Sequence, residues 1–401
     1  MSSYESQLEY LLSKSNGEIE DSWEQAVDEL GLNMHPDSLR KSWTCGWFCG
    51  SKVYEYFLNK NEENMTEEQL AKLEQIKFEI LKERKKKQTV NREYHKTARI
   101  EGRNELFQEL MIEELKYLKP IDIKTFKHKE SSERTAMIFI SDAHYSKQFE
   151  LQGLYGEVIN SYNTEIFKTR MWNLLSQIEA IELEYDDIIV CDLGDCIDGI
   201  LRMGSLQKLE TPVINAAIEY AEFISVWLCE LYNRTGRKIT YALTGGNHDM
   251  LRLLTEKKIF QDENIAKIIH EFISLRIKNV KTQNKDAEIY IKPYNDNIYH
   301  DVHGVKVMTY HGDSKDLKSD IDFFENFYDC SIDLLVTGHL HRNSQESIGV
   351  GIVGDREVIR VPSIMGVDDY AKSIRKHSRA GCKMIMFTEE GKDYEKTFYL
   401  N

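Results

Sequence analysis

Five apolar runs, each ending in residues able to bind a metal or move a proton, restrict this chain more than any other feature. They occupy residues 136–140, 188–193, 239–243, 305–310 and 332–336. Most are continuous rather than alternating, as expected for strands buried on both faces. Helical patterns at 166–183 and 213–232 lie between the first three. Strand–helix–strand alternation predicts an α/β layered domain. Segments near 286–305 and 347–362 read as antiparallel strands. A mixed sheet or a two-sheet sandwich is therefore expected.

The residues past these runs carry the chemistry. They are Asp142-Ala143-His144, Gly194-Asp195-Cys196-Ile197-Asp198, Gly246-Asn247-His248-Asp249, His311-Gly312-Asp313 and Gly338-His339-Leu340-His341. Loops at the carboxyl ends of neighbouring strands converge in α/β sheets, so the five islands are expected to meet. Carboxylates, an amide oxygen and imidazoles form the ligand set of a site for two divalent metals. One residue separates Asp142 from His144, so both can point to the same side. A carboxylate such as Asp195 has two oxygens and a negative charge, which lets it bridge two cations. Gly194, Gly246 and Gly338 permit the turns that release each strand into its loop. Any single island is compatible with a satisfied core polar group or a turn residue; five in order are not.

The pattern resembles the calcineurin-like metallophosphoesterase family, whose motifs are D-x-H, G-D-x-x-D, G-N-H-[DE], H and G-H-x-H. The resemblance spans roughly residues 135–345. It implies a four-layer sandwich of mixed β-sheets flanked by helices. It also implies one metal held by Asp142, His144, Asp195 and His341, and another by Asp195, Asn247, His311 and His339, with Asp195 bridging. Two such ions acidify a bridging water to a hydroxide nucleophile. His248 matches the family's catalytic histidine, Asp249 is placed to orient its imidazole, and Asp198 takes a supporting role. Mixed nitrogen and oxygen ligation fits Mn²⁺, Fe or Zn²⁺ better than Mg²⁺, and Mn²⁺ is the ion expected to support activity, with Fe, Zn²⁺ or Mg²⁺ as alternatives. The first motif departs from the common D-x-H-x-G, because Tyr145 and Ser146 follow His144. Insertions at about 145–165 and 199–212 are expected around the site mouth. Arg342 is placed either to hold a substrate phosphate or to pair on the surface. His35, His95, His128, His270, His300, His303 and His377 lack motif context and read as surface or packing residues.

The chain reads as three parts: a helical, helix-turn-helix-like part at 1–60, a helical basic linker at 61–133, and a catalytic domain at 134–401. Ser22 caps a helix from Trp23 to Leu30, Gly31 stops it, and Pro36-Asp37-Ser38 opens a second helix bearing Arg40 and Lys41. This is the outline of a DNA reader, or equally of a helical cap with Trp23, Trp43, Trp47 and Phe48 as its core. Thr66 caps a further stretch with apolar positions Leu70, Leu73, Ile76, Ile80 and Leu81. Residues 82–103 hold nine Lys or Arg against three Glu, a local excess of six positive charges. Such a segment neutralises phosphates or is simply a solvated helix face.

The full chain of 401 residues carries a formal charge of −15, which argues against its whole surface binding a polyanion. No stretch approaches a membrane span, and Met1-Ser2-Ser3-Tyr4-Glu5 does not open a signal peptide. Seven scattered cysteines suit a reducing cytoplasm; Cys45 and Cys49 share a helical spacing without a second pair to complete a zinc site. The expected activity is hydrolysis of phosphodiester bonds, as a DNA nuclease or exonuclease similar to SbcD-type DNA repair enzymes and phage-encoded nucleases. The alternatives are a protein or small-molecule phosphomonoesterase, and a DNA-binding regulator with weak or no catalysis. Nucleic acid is the expected partner, through the N-terminal region, and a homodimer is compatible with the chain. Residues 342–401 are too few for a large capping domain plus an ATPase-docking segment, so no dedicated ATPase partner is expected. The tail 363–370 with Lys372, Arg375, Lys376 and Arg379 is expected to add a basic patch.

Overall fold

The strands that carry the five islands alternate their apolar side chains between two cores, and that alternation builds the architecture. The strands of the computed structural model are β1 (Arg134–Ile140), β2 (Phe149–Gln152), β3 (Val158–Tyr162), β4 (Asp187–Asp192), β5 (Lys238–Leu243), β6 (Ile289–Ile291) and β7 (Asn297–Val302). They continue with β8 (Val305–Tyr310), β9 (Leu334–Thr337), β10 (Ser344–Val350), β11 (Asp355–Arg360), β12 (Gly381–Thr388) and β13 (Gly391–Tyr399). The helices are α1 (Tyr4–Ser15), α2 (Trp23–Glu29), α3 (Pro36–Thr44), α4 (Thr164–Glu179), α5 (Val213–Thr235), α6 (Ile265–Gln283), α7 (Leu317–Tyr328) and α8 (Asp369–Ser373). The structure describes residues 4–15, 17–44, 78, 81–82, 85–95, 98, 102, 105, 109, 113, 116–126, 133–181, 187–199, 209–250, 264–314, 316–351, 354–375 and 378–400. They fall into two units, Met1–Leu106 and Phe107–Asn401.

In the larger unit one sheet has the order β13-β12-β1-β4-β5-β6 and the other β10-β11-β9-β8-β7. From β1, Ala136, Ile138 and Ile140 join a core with Phe167, Leu174, Trp227 and Ile273 of α4, α5 and α6. The intervening Met137 and Phe139 face the second sheet and pack with Val307, Leu334, Val336 and Ile359. On the far side of that sheet, Met308, Tyr310 and Leu335 pack against Leu317, Ile321 and Phe324 of α7. The layers run helix, sheet, sheet, helix, which is the expected four-layer sandwich. A strand facing a core on each side needs an unbroken apolar run, and each such side chain contributes about 1.5–3 kcal/mol on burial.

Two expectations are corrected. The segment near 286–305 is not wholly antiparallel: β6 pairs parallel with β5, and only β7 pairs antiparallel with β8. Helix α6 returns the chain across the sheet before β6, and such a crossover gives a parallel neighbour. Near 347–362, β10 and β11 do pair antiparallel, but β11 runs parallel to β9. The antiparallel pair β12–β13 extends the first sheet beside β1, and the segment expected as a basic patch, 363–379, leads into it. Lys372, Arg375 and Arg379 are exposed, Arg379 stacks over the Tyr399 ring at 4.4 Å, and Lys376 lies outside the described residues.

Strand register sets the position of the site. Ile140, Asp192 and Leu243 stand level across β1, β4 and β5. Tyr310, Thr337 and Arg360 stand level across β8, β9 and β11. The loops beginning at Ser141, Leu193, Thr244, His311 and Gly338 therefore leave the two sheets along a common edge.

In the smaller unit, Ser22 and Gln25 form a reciprocal capping box at the start of α2, and Gly31 follows it with φ 61°. Leu11, Ala26, Val27, Leu30 and Leu39 form a small core flanked by half-buried Trp23 and Trp43. Arg40 and Lys41 of α3 pair with Asp37 one turn earlier. Trp47, Phe48, Cys45, Cys49, Thr66, Leu70, Leu73, Ile76 and Ile80 lie outside the described residues. The described residues within 78–95 are helical and exposed, including Lys82, Lys85, Lys86, Lys87 and Arg92.

Candidate metal centre

Tight turns deliver the polar side chains. Asp142, His144, Asp195, His339 and His341 all have positive φ, between 41° and 67°. Non-glycine residues in this region cost of order 1–3 kcal/mol each and persist only where surrounding structure enforces them. Gly194 takes φ 84°, and a side chain there would strike the backbone of Gly245 and Gly246. Gly246 has no room either, because a Cβ would run into the Asp195 carboxylate. Two loops from different strands thus interlock on their glycines, and Asp195 sits at the lock.

Two groups of donor atoms result. In the first, His341 Nε2 lies 3.4 Å from Asp142 Oδ1 and 3.3 Å from His144 Nε2. In the second, Asn247 Oδ1 lies 3.0 Å from both His311 Nε2 and His339 Nδ1, which are 3.2 Å apart. Asp195 Oδ2 stands between the groups, 3.7 Å from His144 Nε2 and 3.2 Å from His311 Nε2. All seven expected ligands are brought together, in the two sets expected. Donors about 2.0–2.2 Å from one tetrahedral or octahedral ion lie roughly 3.0–3.5 Å from each other; all these spacings but the 3.7 Å between Asp195 and His144 fall in that range.

The outer contacts fit as well, since ligating imidazoles hand their second nitrogen to a carboxylate or carbonyl. His311 Nδ1 donates to the Leu193 carbonyl at 2.8 Å. His144 Nδ1 faces Asp198 Oδ1 at 3.5 Å and His341 Nδ1 faces Asp368 Oδ1 at 3.7 Å, and neither nitrogen has a closer partner. The Asp142 carboxylate accepts from the His339 amide at 3.0 Å, and the Asp195 carboxylate from the His248 amide at 2.7 Å.

Burial dominates the electrostatics. Burial opposes charge on His311, but Asp195 outweighs it through charge and hydrogen bond, with help from Asp142 and Leu193, and raises it to about 10. His341 is similarly raised to about 9, against burial, by Asp142 and Asp368. Burial and the neighbouring His311 lower His339 to about 4. Asp195 itself is buried, yet His311 and His248 hold it well below the carboxylate range. The pocket is a concentrated negative field that calls for cations.

His248 is the most exposed imidazole of the group around Asp198, with its Nδ1 2.7 Å from Asp198 Oδ1. Burial works against its protonation, and Asp195 and Asp198 overcome it, raising its pKa. Here an expectation is corrected. Asp249 does not orient His248: its carboxylate is fully buried and accepts from the amides of Gly246 at 2.9 Å and Ile197 at 3.3 Å. It ties the second loop to the third, and burial followed by Asp195's charge raises it to about 7. Asp198, expected only as support, hydrogen-bonds His248 Nδ1 at 2.7 Å and faces His144 Nδ1 at 3.5 Å. Arg342 is exposed beside Arg360, whose pKa its charge helps to lower, after burial. His300 and His270 are buried packing residues, as expected.

No motif marks Lys147, Ser363 or Asp368, although each meets the site. Ser363 Oγ donates to the Asp142 carbonyl at 2.9 Å, and Lys147 pairs with Asp368 at 2.9 Å. The first insertion forms the β2–β3 hairpin, and its Tyr162 hydroxyl donates to the Ala143 carbonyl between two ligands. Of the second insertion, Leu209 bridges to Lys147, while 200–208 lie outside the described residues.

A four-layer α/β sandwich whose aspartate and histidine groups gather at one sheet edge defines a metal-dependent phosphoesterase type of fold and site. Residues 136–343 match the calcineurin-like phosphoesterase family, and the chain belongs to it. Residues 76–117 match the YonJ coiled-coil domain. The SPbeta prophage-derived uncharacterized protein YonJ of Bacillus subtilis (strain 168) is 29% identical over 384 residues, covering 92% of this chain and 89% of that one. Among solved structures, a novel archaeal phosphodiesterase is similar at 14% identity and TM-score 0.31, over 66% of this chain and 99% of that one. Yfce, a phosphoesterase from E. coli, is similar at 12% identity and TM-score 0.30, over 66% and 100%. Among the described residues, no helix is long and apolar enough to cross a membrane.

Proposed function

We propose that the chain is a Mn²⁺-dependent phosphodiesterase acting on DNA. The observation that carries the reading is Asp195 Oδ2, placed 3.7 Å from one group of ligands and 3.2 Å from the other. Two divalent ions held by these groups supply Lewis acidity to the phosphoryl oxygens and acidify a water. The chain's own residues do the rest. Asp198 holds His248 Nδ1, leaving Nε2 to meet the leaving oxygen. A water oxygen that has given one proton to solvent forms a bond to phosphorus, the bond from phosphorus to the leaving oxygen breaks, and His248 Nε2 delivers a proton to that oxygen and regains one from solvent. Against burial, Asp195 and Asp198 raise the His248 pKa, which favours the protonated ring that a proton donor needs. Arg342, exposed after His341, is placed to meet a phosphate oxygen.

The choice of DNA rests on the exposed cations Lys82, Lys85, Lys86, Lys87 and Arg92 within a helical stretch. An exposed cationic stretch in an acidic chain supplies a local polyanion-binding surface. The prophage origin of the Bacillus subtilis relative agrees with a nuclease of the phage-encoded kind. The test offers the purified full chain, with Mn²⁺, single- and double-stranded DNA, a bis-nitrophenyl phosphodiester and a nitrophenyl monoester. Cleavage of DNA and diester, lost in Asp195→Asn, is expected. Hydrolysis confined to the monoester overturns the reading, and so does tight DNA binding without hydrolysis.

A further inference from the structure

His341 closes the first ligand group with Nε2, and its other nitrogen points away from the Asp142–His144 cluster toward the segment that follows β11. That segment is tied to the site repeatedly. The Ile364 amide bonds the Ser141 carbonyl at 3.0 Å, and Ser378 Oγ donates to the His341 carbonyl at 3.1 Å. Asn160 of β3 holds the Met365 and Val367 carbonyls at 3.1 and 2.7 Å. The Tyr370 ring stands edge-on to the His341 ring, 6.3 Å between centroids. Within this frame Asp368 has two oxygens with separate duties. Oδ2 meets Lys147 Nζ at 2.9 Å. Oδ1 accepts from the Ala371 amide at 2.9 Å, capping α8, and faces His341 Nδ1 at 3.7 Å. Asp368 is 3% exposed, so water screens its charge less than it screens a surface carboxylate.

We infer that Asp368, anchored by Lys147, is a positioning residue for His341: it fixes the ring's tautomer and aim so that Nε2 serves as a ligand. The inference rests on the two-metal reading of the site. An imidazole offers its lone pair from one nitrogen only when the proton sits on the other, and a carboxylate beside Nδ1 holds the proton there. Lys147 balances the buried carboxylate and holds it against the ring rather than letting it turn outward. Lys147 lies five positions after Asp142, in the insertion that replaces the usual turn of the first motif, and Asp368 lies beyond the family match ending at 343. The pair therefore ties two residues outside the five motifs to one of the motif histidines.

The test is a Mn²⁺ titration of the full chain by calorimetry, with metal content checked after dialysis. Wild type is expected to take two ions. Asp368→Asn keeps an oxygen to cap α8 but loses the charge; it is expected to bind one ion about 10–100-fold more weakly and the other normally. Lys147→Met is expected to weaken the same ion by a smaller factor, in a metal-free chain that stays folded by circular dichroism though with a lowered melting temperature. In a His341→Ala background, Asp368→Asn is expected to add less than about twofold, because its effect passes through that ring. Wild-type affinity for both ions in Asp368→Asn overturns the inference, as does an equal loss in the His341→Ala background. Should Asp368→Asn fail to fold, unchanged affinity in Lys147→Met overturns it. A wild-type chain that takes fewer than two ions overturns the two-metal reading itself, and this inference with it.

Discussion

Asp195 and His248 touch through one hydrogen bond, yet their substitutions are expected to separate two functions. Asp195→Asn removes the shared charge, so both ions and all hydrolysis are expected to be lost, as metal analysis and a diester assay will show. His248→Ala leaves the ligands in place; metal content is expected to stay at two per chain while turnover falls about 10²–10⁴-fold. Protons provide a further readout. Without metal, and against burial, Asp195 raises His311 to about 10 and Asp142 raises His341 to about 9, so at pH 8 both rings are expected to be imidazolium. Metal ligation requires neutral imidazole, so binding releases protons and affinity rises with pH until both rings are neutral. Calorimetry in buffers of different ionisation enthalpy is expected to show close to two protons released at pH 8, and release independent of His311 and His341 contradicts this account.

At the scale of elements, the glycine interlock predicts that Gly246→Ala disrupts the site more than its small volume implies, since the added Cβ meets Asp195. Weakened uptake of both ions and a melting temperature lowered by several degrees are expected. Between the sheets, His300 is 2% exposed, and burial followed by the Lys292 charge lowers it to about 3. Its ordinary value is 6.5, so above that pH both folded and unfolded chains keep it neutral. As pH falls from 6.5 toward 3, the unfolded chain takes a proton that the folded chain refuses, and stability is lost, about 2 kcal/mol of it by pH 5. His300→Gln is expected to flatten the fall in melting temperature between pH 7 and pH 5; an unchanged slope contradicts this. The strands and the loops that gather the polar side chains were legible because buried strands need continuous apolar runs and the loops follow their ends. Asp249 was misjudged because adjacency to His248 in sequence says nothing of direction: the turn sends its carboxylate to the amides of Gly246 and Ile197. Asp368 was invisible because it reaches His341 only through the fold, from 27 positions away.

For the whole molecule, the contrast between an overall charge of −15 and an exposed cationic stretch locates where a polyanion is expected to bind. Replacing Lys85, Lys86, Lys87 and Arg92 together by Gln is expected to weaken DNA binding without altering hydrolysis of a small diester. It is expected to reduce the slope of log affinity against log salt by up to about 3–4. An unchanged slope places the DNA contacts elsewhere. The sequence motifs specify the site far better than the substrate, because ligand geometry is local to five loops while substrate choice depends on surfaces without a fixed pattern. The central claim, two ions joined by Asp195, is tested most directly by electron paramagnetic resonance during Mn²⁺ titration of the full chain. The account predicts two equivalents bound, with an exchange-coupled signal that disappears in Asp195→Asn. Two uncoupled ions, or a coupled signal that survives in Asp195→Asn, would contradict it.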